Sequence, residues 1–238
     1  MVKINVGVFF GGRSVEHEIS IISALQAIHS IDRNKYNVVP IYITKQGQFY
    51  TGEALTDIQN YKDLNRLLSH CKQIVITNHN GEIIITEYPA SMFRKGRLGT
   101  LDVALPVVHG TNVEDGTFQG YLEMLILPYA GCNVLSSALG MDKIAMRMVL
   151  KEAGLPVLDY VWFYSKRWFS DPNGVYEEIE SRLSYPVIVK PANSGSSVGI
   201  TPAANREELE DALDLASSFS NRIIVEPKVV NLREINCS

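Results

Sequence analysis

The most constraining feature of this chain is an apolar run that ends on two glycines and leads at once into a helical pattern. Lys3–Phe10 (Lys-Ile-Asn-Val-Gly-Val-Phe-Phe) alternates, then turns continuously apolar, and breaks at Gly11-Gly12. Such a run is a strand buried on both faces. Ser14 stands where it can cap a helix that carries Ile19, Ile22, Ala24 and Leu25 inward and ends near Ile31. Asn37–Thr44 reads as the next strand, which makes a βαβ unit, and Pro40 places that strand near a sheet edge.

The same alternation continues. Gln73–Thr77 and Glu82–Tyr88, separated by Asn78-His79-Asn80-Gly81, predict a hairpin, and Asp102–Val108 predicts another buried strand before a helix over Gly116–Leu125. Alternation of this kind implies an α/β fold with a mostly parallel sheet covered on both faces. After Gly131 the character changes, and the boundary falls near Ser137, giving domains 1–137 and 138–238. The second begins with a helix over Met141–Ala153 stopped by Gly154 and Pro156. Val161–Tyr164, Tyr185–Lys190 and Arg222–Glu226 read as strands; Gly174–Leu183 and Asn205–Leu215, the latter capped by Asn205, read as helices. Val229–Ser238 looks like a turn and the start of a further strand with no partner, which points to truncation, because an unpaired edge must be covered.

Composition narrows the function classes. A net charge of −4 with no face-sized block of Lys or Arg argues against nucleic acid as a partner. No stretch reaches the roughly 20 apolar residues that span a bilayer, and the N-terminal run is too short and strand-like for a signal peptide. Cys71, Cys132 and Cys237 are scattered without metal spacing, which reads as reduced thiols and a cytoplasmic location.

Candidate chemistry sits in loops. Ser194-Gly195-Ser196-Ser197-Val198-Gly199 follows a strand ending in Lys190 and can turn backbone N–H groups and hydroxyls toward phosphate oxygens; a flexible surface turn reads the same way. It is not a Walker A loop, whose spacing occurs nowhere in the chain. Lys143 lies in a helix's first turn, where a cation costs about 0.3–1 kcal/mol, so it is either an ordinary solvated lysine or a functional one. Glu16, between a strand and a helix N-terminus, can bind an ammonium group or merely complement the helix dipole. His109 ends a strand at the same sheet edge and can act electrostatically or as an acid–base group, whereas His17, His29, His70 and His79 read as surface or loop residues. Glu226 and Glu234 can accept hydrogen bonds from an adenine or ribose, or stand as loop carboxylates. Asp142 and Asp159 lack a partner that would suggest a metal, and no metal ligand is assigned.

Taken together, Gly11–Ser20 (Gly-Gly-Arg-Ser-Val-Glu-His-Glu-Ile-Ser), Pro106–Gly120 (Pro-Val-Val-His-Gly-Thr-Asn-Val-Glu-Asp-Gly-Thr-Phe-Gln-Gly), Ser136–Lys143 (Ser-Ser-Ala-Leu-Gly-Met-Asp-Lys) and Val187–Gly199 (Val-Ile-Val-Lys-Pro-Ala-Asn-Ser-Gly-Ser-Ser-Val-Gly) resemble the D-alanine–D-alanine ligases. The resemblance runs from Val2 to Ser238 and implies an ATP-grasp enzyme: a Rossmann-like, pre-ATP-grasp N-terminal domain, then the first, smaller ATP-grasp subdomain. It implies a reaction in which ATP phosphorylates the carboxylate of one D-alanine and the amine of a second displaces phosphate, supplying a peptidoglycan dipeptide. By the resemblance Glu16 holds the ammonium of the first D-alanine, Ser196 buttresses Glu16, and His109 stands near the activated carboxyl. Lys143 and Lys190 bind phosphates under a flap that includes Ser194, Gly195 and Ser197; Glu226, Val229 and Glu234 line the adenine and ribose. A homodimer through the N-terminal domain is likewise implied.

The chain departs from the family pattern at its end. The second ATP-grasp half, with its Mg²⁺ ligands, its oxyanion-stabilising arginine and its closing loop, is expected to be missing, so the 238-residue chain alone is expected not to ligate D-alanine. Pro227-Lys228 after Glu226 also removes one backbone N–H from the adenine side. The alternatives are a D-alanine–D-serine ligase of the vancomycin-resistance type, a non-catalytic remnant, and a domain for another carboxylate–amine ligation.

Overall fold

The computed structural model describes residues 2–89, 96–195 and 197–235. The chain divides into two compact units, Met1–Ala138 and Leu139–Ser238. No helix among the described residues is long and apolar enough to cross a membrane.

The first unit runs β1 (Ile4–Gly11), α1 (His17–Ser30), β2 (Tyr36–Ile43), β3 (Phe49–Thr51), α2 (Leu64–Ser69), β4 (Lys72–His79), β5 (Glu82–Glu87), β6 (Arg97–Leu101), β7 (Val103–Pro106), α3 (Thr117–Met124) and α4 (Val134–Met141), the last reaching past the division. Its sheet has the order β6-β5-β4-β3-β2-β1-β7. Among the strand pairings described, the two that flank β1, with β2 on one side and β7 on the other, are parallel. The four remaining pairings are antiparallel, which corrects the expected mostly parallel sheet to a mixed one. Two of these pairings, β2–β3 and β4–β5, follow short turns, which bring the chain back antiparallel, whereas a parallel return needs a crossover such as α1. The β4–β5 turn shows this well. Asn80 (φ 54) and Gly81 (φ 89) both take left-handed conformations, the pattern of a two-residue hairpin loop.

Both faces of this sheet are covered. Val6, Val8 and Phe10 of β1 pack with Ile21, Ala24, Leu25 and Ile28 of α1, and Phe9 packs on the opposite face with Phe118 and Leu122 of α3. Each such fully buried side chain contributes roughly 1.5–3 kcal/mol of burial energy. The inward face of α1 is therefore rotated from the one expected, since Ile19 and Ile22 are exposed. Pro40 lies in an interior strand, not near an edge; it pairs with Val8, just outside the three residues, Ile41–Ile43, that β3 covers.

The second unit runs α5 (Lys143–Glu152), β8 (Val161–Tyr164), α6 (Ser165–Ser170), α7 (Pro172–Arg182), β9 (Val187–Pro191), β10 (Thr201–Ala203), α8 (Arg206–Phe219) and β11 (Arg222–Pro227). The helix expected over 141–153 is split at Asp142, whose Oδ1 caps α5 by accepting from the backbone N–H groups of Ile144 and Ala145. The sheet has the order β10-β9-β11-β8, all antiparallel. Val187, Val189, Ile223 and Val225 meet α7 and α8 on one face. Because side chains alternate along a strand, Lys190, Ile224 and Glu226 share the other face, where Ile224 packs on Ile144 of α5. Residues 229–235 form no strand, contrary to the expected start of one; 236–238 lie outside the described residues.

Candidate functional site

In the first unit the site-forming loops leave the carboxyl ends of β1 and β7, neighbouring parallel strands. The chain leaves β1 through α1 toward β2, whereas β7 lies on the opposite side of β1 and leads to α3. This is a topological switch point, where open α/β sheets bind ligands. Two sequence-distant loops are stitched together here. Ser14 Oγ donates to the carbonyl of His109 (2.6 Å), and Asn112 Nδ2 donates to the carbonyl of Arg13 (3.0 Å). Ser14 also accepts from the backbone N–H of Glu16 at 3.1 Å, so it braces the loop, and the helix-capping role expected of it is not seen: α1 starts at His17.

Glu16 is half-buried and reaches Gly110: a Cβ on that glycine would lie 2.6 Å from Glu16 Oε2. Gly110 has φ +87, so a side chain is disfavoured there twice over. His109 stands beside them, its Nε2 3.2 Å from Ser23 Oγ and its Nδ1 3.5 Å from Glu114 Oε1. Glu114 is itself held by the N–H of Gly110 at 2.6 Å. The structure thus brings Glu16 and His109 to one strand end.

His17 corrects the reading of it as a surface residue. It is only 3% exposed, its Nδ1 lies 2.6 Å from the Gly12 carbonyl and its Nε2 2.9 Å from the Tyr42 hydroxyl. Its ring fits because Gly11 has no side chain: a Cβ there would sit 3.1 Å from His17 Cε1. The signal available in the sequence was the paired glycine just upstream. Burial pushes the Tyr42 phenol up to about 12, so it stays a neutral hydrogen-bonding partner.

In the second unit the basic candidates converge. Lys143, first residue of α5, donates through Nζ to the carbonyls of Pro191 (3.1 Å) and Ser194 (2.7 Å). Lys190 and Arg147 both pair with the carboxylate of Glu226, which is 2% exposed. The sequence reading missed Arg147, whose place one helical turn after Lys143 was its only sequence signal. The expectation that Glu226 serves an adenine meets a carboxylate already engaged by two cations. Ser194 Oγ donates to the Val198 carbonyl (3.0 Å) and Ser197 has φ 57, so the glycine-rich segment is a tight turn beside Gly195. Ser196 lies outside the described residues. Val229 and Glu234 fall in the exposed stretch after β11.

The charges show what this surface accepts. Lys143, Arg147 and Lys190 carry three positive charges around the single buried acid Glu226, while Asp142 pairs with Arg222. Burial, and then the neighbouring charges of Lys190 and Arg147, hold the Lys143 ammonium below the usual lysine range. A cationic surplus beside a glycine-rich turn fits the phosphates of a nucleotide such as ATP. Among the described residues no three His, Cys, Asp or Glu side chains come together as a metal site.

Comparison with known proteins gives the same direction. Residues 5–132 match the family model for the N-terminus of D-ala D-ala ligase, and residues 149–238 match the model for its C-terminus. The D-alanine–D-alanine ligase of Thermosipho melanesiensis is 42% identical over 99% of this chain, and that of Enterococcus hirae 40% identical over 98%; the chain spans 62% of the length of each. Among solved structures, the D-alanine–D-alanine ligase of Coxiella burnetii superposes with a TM-score of 0.80 at 32% identity, covering 95% of this chain and 62% of that one. The VanG D-Ala:D-Ser ligase of Enterococcus faecalis gives 0.78 at 32% identity, covering 96% and 64%. The ATP complex of the Bacillus anthracis D-alanine–D-alanine ligase gives 0.64 at 27% identity, covering 97% and 58%. With the N-terminal match alone spanning more than half of the 238 residues, the chain belongs to the D-alanine–D-alanine ligase family.

Proposed function

We propose that this chain carries the first D-alanine site and the nucleotide-phosphate site of an ATP-dependent D-alanine–D-alanine ligase. The observation that supports it most is the meeting of Glu16 and His109 at the carboxyl ends of β1 and β7, two motifs that lie about a hundred residues apart and are joined through Ser14. Glu16 binds the ammonium group of D-alanine, with Gly110 leaving room for its carboxylate oxygen. His109 stands by the carboxyl to be activated. Lys143 and Lys190 neutralise phosphate charge, and the 194–199 turn covers it. ATP supplies, when bound, the phosphoryl group that activates the carboxylate for attack by a second amine.

The family supports a finer reading. The first unit is the pre-ATP-grasp domain and pairs in a homodimer; the second is the first ATP-grasp subdomain. By the family pattern the Mg²⁺ ligands and the oxyanion stabiliser belong to the other ATP-grasp subdomain. The reaction runs in the cytoplasm, where ATP is held and thiols such as Cys71 and Cys132 stay reduced.

The test is ADP release by the gene product carrying this sequence, with the dipeptide product identified by mass. D-Alanine should drive it and outcompete D-serine as the second substrate. Release independent of D-alanine would overturn the reading, and a preference for D-serine would move the protein to the D-Ala:D-Ser ligases.

A further inference from the structure

Glu226 is a buried carboxylate with one cation more than its charge requires. Its side chain is 3% exposed and is paired to both Arg147, 14% exposed, and Lys190, 19% exposed. A lone carboxylate in that position would be strongly unfavourable, so one cation must stay with it at all times. The two cations differ in what they can do. Arg147 projects from α5, and its rigid donor fork suits a carboxylate. It also approaches the Lys143 carbonyl with Nη1 at 3.5 Å. Lys190 carries a compact charge on a flexible stem, from a strand that ends in the glycine-rich turn.

We infer that Arg147 is a positioning residue for the nucleotide phosphates: it holds Glu226 so that Lys190 can leave this carboxylate for an incoming phosphate. Arriving phosphate charge then exchanges one partner of Lys190 for another, and Glu226 remains neutralised. Without Arg147, Lys190 could move only by stranding a buried negative charge, so Glu226 would compete with phosphate for it. Lys143 is the fixed half of the pair, tied to the Pro191 and Ser194 carbonyls, and Lys190 the exchangeable half. The inference rests on the nucleotide reading above and gives Glu226 a role through Lys190 in place of one at the adenine.

The test is calorimetric titration of the native gene product and its variants with ATP, ADP and adenosine, alongside thermal unfolding of each protein without ligand. Arg147→Met should weaken ATP and ADP on the order of 10- to 100-fold, while adenosine affinity changes by less than about twofold. Arg147→Lys, which keeps the charge, should recover most of the loss. Glu226→Gln in the Arg147→Met background should restore phosphate affinity, because the competing charge is gone; a merely structural role predicts no such rescue. The inference is overturned if Arg147→Met binds ATP as the native protein does, if it weakens ATP and adenosine alike, or if the second substitution fails to rescue. Absence of ATP binding by the native protein would instead overturn the nucleotide reading, and this inference with it.

Discussion

Lys143 Nζ donates to the carbonyl oxygen of Ser194 at 2.7 Å, so the first residue of α5 grips the glycine-rich turn by its backbone. The same residue donates its backbone N–H to the Ala192 carbonyl at 2.8 Å, and Asp142 just before it caps the helix. A lysine at a helix N-terminus works against the helix dipole. Here the local cost is offset by these hydrogen bonds, and the charge is left poised beside Lys190 and Arg147, where an anion relieves the repulsion.

Lys143→Met should therefore separate binding from stability. It removes a charge-assisted donor, worth about 1.5–3 kcal/mol, and with it roughly 10- to 100-fold of ATP affinity, while adenosine affinity stays within about twofold. The unfolding temperature should move little, since relief of a half-buried, crowded cation opposes the loss of its hydrogen bonds to the Pro191 and Ser194 carbonyls. Calorimetry with ATP and adenosine, together with a thermal melt, checks both halves.

Gly110→Ala tests the other unit. The substitution places a Cβ at φ +87 and 2.6 Å from Glu16 Oε2. The backbone alone should cost about 1–2 kcal/mol of stability. Displacement of Glu16 should raise the D-alanine requirement of the full reaction by about tenfold, with kcat less affected. Denaturant unfolding and D-alanine kinetics measure the two effects separately.

How far the chain could be read from its residues differs between fold and site. The strands expected over Tyr185–Lys190 and Arg222–Glu226, seen as β9 and β11, and the Asn205 cap were legible because burial and capping write themselves in local pattern. Strands β3 and β10, each of three residues, carry too little pattern to show. The mixed sheet was not legible, since pairing direction depends on which strands meet. The same limit hid the charge cluster: Arg147 and Lys190 meet Glu226 from 79 and 36 residues away. Lys190 read as a phosphate candidate and Glu226 as an adenine or ribose candidate, and no local pattern showed that they meet each other and Arg147. His17 was missed for a different reason. A polar residue beside Glu16 and Glu18 looks exposed until the glycines upstream are seen to make room for its ring.

His17→Phe should expose the cost of that arrangement. It fills the same space but leaves the Gly12 carbonyl and the Tyr42 hydroxyl without the ring nitrogens that meet them at 2.6 and 2.9 Å. In a buried setting this should destabilise the first unit by about 1–3 kcal/mol. Adding Tyr42→Phe should recover part of the loss by removing one of the stranded groups. Urea unfolding of the single and double variants reads this directly.

The depressed Lys143 ammonium makes two pH effects of opposite direction. Burial and the charges of Lys190 and Arg147 hold it below the ordinary 10.5 of a free lysine. Between the lowered value and 10.5 the unfolded chain binds more protons at this position than the folded one. The contribution of Lys143 to stability must therefore rise with pH across that window, because deprotonation removes the crowded charge. Polyphosphate does the reverse. Its negative charge favours the protonated lysine, so binding in the same alkaline window takes up a proton and weakens as pH rises. Titrations with ATP at alkaline pH, in two buffers of different ionisation enthalpy, should show net proton uptake. Lys143→Met should remove the Lys143 share of that uptake and flatten the alkaline fall in affinity. Uptake unchanged in the variant would assign the titrating group elsewhere in the cluster.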